Sequence, residues 1–115
     1  MICTVDLGQT MPIRALETQL YLYQDAWIFM PNEVRWSVSS DGVRFVDLPA
    51  QSPWGEALRP DPRQTVVPVR LEGVELEARY VRMTLENAGP CPEWHDAATE
   101  PSWLFVDELV VESVP

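Results

Sequence analysis

Apolar residues recur at every second position in several short segments, and Pro or Gly separates those segments. Ile2 to Leu7 is an apolar run ended by Gly8. Arg14 to Leu22 alternates, with Leu16, Thr18, Leu20 and Leu22 on one face and Glu17, Gln19 and Tyr21 on the other. A period of two belongs to a strand with one buried face. Val34, Trp36 and Val38 make the next inward row. Ser40-Asp41-Gly42 follows, and Asp-Gly readily supplies the positive φ of a tight turn. Val34 to Leu48 is therefore predicted to be a β-hairpin, with Arg44 to Leu48 as the return strand.

Residues 49 to 65 carry Pro49, Pro53, Pro60 and Pro62 without a period, which predicts a long surface loop. Thr65 to Leu71 is a strand interrupted by Pro68, so it belongs at an edge or a bulge. In Arg79 to Leu85, Val81, Met83 and Leu85 face inward. Asn87 to Ser102 is an aromatic-rich loop, and Trp103 to Val111 reads as the last strand, apolar on both faces near its start. No helical apolar stripe exceeds two turns. Seven or so short strands between Pro- and Gly-rich turns predict an all-β, antiparallel β-sandwich.

At 115 residues the chain makes one domain, with a core but no room for a second. Its 11 Pro are spread along the chain, which disfavours long helices. The net charge of −10, with Arg as the only strong base, opposes a nucleic-acid or anionic-membrane surface. No apolar run reaches the roughly 18 residues of a membrane span. Cys3 and Cys91 lie far apart and show no zinc-ligand spacing, so free thiols are expected. Asp107 and Glu108 are adjacent on a strand and point to opposite faces. One is expected to anchor an Arg or loop amides while the other meets solvent. No nucleophile, phosphate-loop or metalloprotease motif is present, and His95 is the only His. The domain is expected to be non-catalytic.

The candidate chemistry lies in Pro90-Cys91-Pro92-Glu93-Trp94-His95 and in the segment around Asp25 and Trp27. Flat Trp faces beside polar groups suit sugar rings, which present C–H faces and hydroxyl edges. If the two loops share one end of the sandwich, Asp25, Trp27, Trp94, His95 and Trp103 surround a shallow cleft. The alternative is that these rings cap the core.

Val5-Asp6-Leu7-Gly8, the Val34 to Gly42 hairpin and Ala78-Arg79-Tyr80-Val81-Arg82 together resemble the discoidin-like domain, also called the coagulation factor type C domain. Gln24 to Pro31, the Trp94-His95 loop and Trp103 to Glu108 look most similar to the C-terminal domain of bacterial β-N-acetylhexosaminidases. The resemblance spans about Thr4 to Glu112. It implies a jelly-roll sandwich of galactose-binding-like topology that binds glycan through loops at one end. Many such domains hold a structural calcium ion, and Glu108 matches an acidic residue of that site. The loop that supplies the other ligands is not in this sequence, and one Glu cannot offer six to eight oxygens. No cofactor or metal is therefore expected.

Two readings follow. One is a carbohydrate-binding accessory module of a glycoside hydrolase. The other is a structural domain that packs against the catalytic domain of the same parent chain and binds no sugar. The strand pattern starts abruptly at Ile2, as in a piece of a longer, multidomain protein. The resemblance places such a parent in the periplasm, at the cell surface or outside the cell.

Overall fold

A computed structural model describes residues 1–53 and 60–114. The loop expected at residues 49 to 65 thus lies partly outside the described residues. The strands are β1 (Ile2–Tyr23), β2 (Glu33–Ser39), β3 (Val46–Asp47), β4 (Gln64–Leu71), β5 (Leu76–Glu86) and β6 (Val106–Ser113). Their pairings are all antiparallel. The only helical turn among the described residues is a 3-10 turn at Gln24–Ala26.

β1 joins two groups of strands. Its first half, Ile2 to Ile13, pairs with β5, which pairs with β2 and then β3. Its second half pairs with β4 along Leu16 to Tyr23 and with β6 along Ile13 to Leu20. The two groups share one core. Leu16, Leu20 and Leu22 from β1 and Val69 from β4 meet Val34, Trp36 and Val38 from β2 and Val81, Met83 and Leu85 from β5. This is a β-sandwich with β1 passing through both layers.

The two strands expected on either side of Gly8 are therefore one. Between Asp6 and Met11 the register with β5 shifts, and Gly8 takes φ +84° at the irregularity. Asp6 accepts the Gly8 N–H (2.8 Å) and two N–H bonds from Arg79 (2.8 and 3.1 Å), tying the bulge to the neighbouring strand. The Arg79 pair holds the Asp6 carboxyl below its usual range. A second irregularity against β6 lies between Ile13 and Ala15, where the inward set passes from Ile13 and Ala15 to Leu16 and Thr18. One extra residue reverses which parity faces the core.

The hairpin forms, but its return strand is only Val46–Asp47, opposite Val38 and Ser37. Asp41 accounts for the shortening. Its carboxylate accepts the Val43 and Arg44 N–H groups at 2.8 and 2.9 Å, which removes them from the ladder. Those backbone bonds also lower its pKa. Gly42 sits at φ +80°, where a side chain would press on the Tyr80 ring at 3.1 Å.

Pro68 lies on β4, at the sheet edge as expected. The last strand begins at Val106 rather than Trp103. Residues 103 to 105 keep the alternation, with Leu104 packed on the core and Trp103 and Phe105 outward, but Trp103 bonds to the loop after β1 and Phe105 to Tyr21 at the end of β1. The Asp107–Glu108 expectation is also corrected, since both residues are exposed and neither anchors an Arg among the described residues. Glu112 does that work, joining Arg70 of β4 (2.5 Å) and Arg14 of β1 (2.8 Å).

Trp36 is fully buried, so Trp36→Ala should lower unfolding free energy by about 3–5 kcal/mol in denaturant titration. A loss under about 1 kcal/mol would contradict this core. Both cysteines are free, Cys91 is buried, and burial raises its pKa. A thiol reagent should label Cys3 in the native protein and Cys91 only after unfolding. Equal native reactivity would contradict the packing of the 91 loop.

Candidate ligand-binding cleft

The inward row of β1 runs Leu16, Thr18, Leu20, Leu22 and then Gln24. Gln24 is buried, with 4% exposure, and a buried amide needs partners. Its carbonyl accepts the Trp27 N–H (2.9 Å) and its side-chain oxygen accepts the Asp61 N–H (2.8 Å). His95 reaches the same carbonyl at 2.6 Å through Nε2. The Ala97 N–H donates to His95 Nδ1 (3.0 Å), so Nδ1 is an acceptor and Nε2 carries the proton. Three loops, at 24–27, 60–63 and 94–97, thus converge on one glutamine.

Phe29 supports them from below. It is buried, and its ring lies 5.4 Å from His95 and 6.2 Å from Trp94. Trp94 rests on this base with 43% of its surface exposed. Trp27 takes φ +66°, in the left-handed region that bulky residues rarely enter. Bonds at both ends hold it there, since its carbonyl also accepts the Trp103 N–H at 2.7 Å. Such strain recurs at binding sites because the surroundings must enforce it. The 90–101 loop is closed at its base by Pro90–Pro101 pairing and by the Cys91 N–H donating to the Glu100 carbonyl (2.7 Å).

Between these loops lies an open cleft of about 510 Å³, lined by Gln24, Asp25, Trp27, Pro60, Asp61, Pro62, Trp94, His95 and Asp96. Four of the expected rim residues, Asp25, Trp27, Trp94 and His95, come together in it. Trp103 does not. It is 59% exposed, outside the cleft lining, on the outward face it shares with Phe105. Only its backbone reaches the site, bridging Ile28 and Trp27. His95 is in the cleft wall, but both ring nitrogens are occupied inside the protein. It therefore braces the two loops and has no free nitrogen for a ligand hydroxyl.

The polar groups differ in availability. Asp61 is held by Arg63 through a fork of N–H bonds at 2.7–3.1 Å. No hydrogen bond or ion pair among the described residues engages the Asp25 or Asp96 carboxylate. Among those residues no group of three or more His, Cys, Asp or Glu is placed to hold a metal ion.

Gln24, Phe29 and Asp61 were not picked out by sequence reasoning. A polar residue at the next inward position of the β1 row is the signal for Gln24, because it must either leave the core or organise partners there.

No family model matches this chain, and no curated protein does. Seven solved chains match it. One is the C-terminal domain of a chitobiase from Bacteroides fragilis, 14% identical with a TM-score of 0.48. That match covers 97% of this chain and 64% of the other, so this chain spans under two thirds of the neighbour's length.

Gln24→Ala should cost about 1–3 kcal/mol, since it strands the Asp61 N–H, and should speed amide exchange at Asp61. Unchanged exchange there would show that Gln24 does not hold the loops together.

Proposed function

We propose that this chain is a non-catalytic, carbohydrate-binding accessory domain of a β-N-acetylhexosaminidase-like glycoside hydrolase, with the 510 Å³ cleft as its glycan site. The observation that supports this most is the exposed Trp94 ring on a buried Phe29 base, facing the same cleft as Trp27 and two carboxylates that no described residue engages. A sugar C–H face stacks on such a ring, while its hydroxyls donate to Asp25 and Asp96. His95 acts as a brace rather than a contact through its nitrogens. The motif resemblance gives the reading its parent enzyme, and with it a site of action in the periplasm, at the cell surface or outside the cell. The discoidin-like, jelly-roll assignment is part of the same proposal.

An open cleft supports weak binding, with a Kd near the millimolar range, equivalent to about −4 kcal/mol. A glycan array followed by titration of intrinsic fluorescence tests it. Trp94→Ala should abolish binding and leave the circular dichroism spectrum unchanged.

A second reading has its own support. Tyr21 and Val66 pair directly, and the Tyr21 N–H donates to the Phe105 carbonyl. With 45% exposed Val66, 49% exposed Phe105 and Trp103 nearby, they form an apolar strip on the outer face. Strips of this kind mark protein contacts. In this reading the domain packs against the catalytic domain of its parent chain. Unfolding of Trp94→Ala, together with no glycan bound by the wild type, would favour it over sugar binding.

A further inference from the structure

The charge of the cleft is one-sided. Its available charged side chains are the Asp25 and Asp96 carboxylates, and no Arg among the described residues lines it. Arg63, two positions after the cleft residue Asp61, is held by that residue's carboxylate. The His95 nitrogens are consumed by Gln24 and Ala97. Carboxylates alone would make no site. Here, however, they flank two aromatic residues that line the same cavity, with Asp25 two positions before Trp27 and Asp96 two after Trp94. An indole face attracts a cation through the negative face of its π-system. A carboxylate beside it adds a charge-assisted hydrogen bond.

We infer that the cleft selects amine-bearing sugars, glycans with free protonated amino groups in place of acetamido or acidic groups. This deepens the glycan-binding reading and rests on it. The ammonium lies against Trp27 or Trp94 and donates to Asp25 or Asp96, while the ring C–H face stacks on the remaining indole. An acidic sugar meets two like charges with no cation among the described lining residues to offset them, in a protein of net charge −10. A neutral sugar keeps the stacking and loses the charge term. Because the carboxylates are exposed, that term is modest and falls with added salt.

The test compares four tetrasaccharides at mildly acidic pH, where sugar amines are protonated, using the intact chain and isothermal titration. They are glucosamine, N-acetylglucosamine, glucose and galacturonic acid oligomers. The glucosamine oligomer should bind about five- to tenfold tighter than the neutral pair, and the acidic one should bind weakest. The ratio of glucosamine to glucose oligomer affinity should fall toward one in high salt and in the Asp25→Asn/Asp96→Asn double variant. Circular dichroism would confirm that the variant is folded, and Asp25→Asn alone should lower the ratio part-way. Equal binding of the amine-bearing and neutral oligomers, or preference for the acidic one, would overturn the inference and leave glycan binding standing. Binding of none of the four would overturn both.

Discussion

β1 carries both layers of this protein, and its inward row ends on a polar residue. Leu16, Leu20 and Leu22 bury themselves at the centre of the sandwich, and the next inward position is Gln24. Hydrophobic burial of the three leucines fixes where Gln24 must go, and the cost of an unsatisfied buried amide fixes what must surround it. The Trp27, Asp61 and His95 loops each arrive with a donor group. The cleft is thus a consequence of how β1 ends. Once Gln24 is in place, Phe29 fills the space beneath, and Trp94 and His95 rest on it.

The motifs that carry the family resemblance have structural work to do. Asp6, Gly8 and Arg79 form one unit, with Gly8 turning the chain at the bulge and Asp6 joining it to Arg79 of β5. Ser39, Asp41, Gly42 and Tyr80 form another. Ser39 Oγ accepts the Gly42 N–H at 2.9 Å, and the Tyr80 ring leaves no room for a Cβ at Gly42 without pressing on it. Neither unit contributes a residue to the cleft lining. These residues specify a sandwich, and the proposed binding chemistry belongs to loops that they do not determine. That division explains why motif reading leads to a fold more readily than to a ligand.

Periodicity made most of the fold legible. The inward rows at Leu16 to Leu22, Val34 to Val38 and Val81 to Leu85 are all buried, because a period of two has only one solution when one face meets a core. Misreadings arose where hydrogen bonding and side-chain alternation part company. Trp103 to Phe105 alternates like a strand, yet Trp103 bonds to the loop after β1, and Arg44 alternates after a turn in which Asp41 has captured its N–H. The cleft was legible as residue types and not as partners. Asp25, Trp27, Trp94 and His95 could be named because costly aromatics in Pro-rich loops stand out. Trp103 stood out equally, yet its side chain faces the other way. The bonds that occupy the His95 nitrogens involve backbone groups 71 and two positions away, and nothing in local sequence encodes the longer one.

The proposed ligand site lies at the end of β1, between the Trp27 and Trp94 loops. Amide and indole chemical-shift mapping, with tetrasaccharides added to the isotopically labelled chain, tests it most directly. The indole N–H signals of Trp27 and Trp94 should move, together with the amides of Asp25 and Asp96, while those of buried Trp36 and outward-facing Trp103 stay fixed. Shifts concentrated at Trp103, Phe105 and Val66, with the Trp94 indole unmoved, would contradict the account and place the working surface on the outer face of the sandwich.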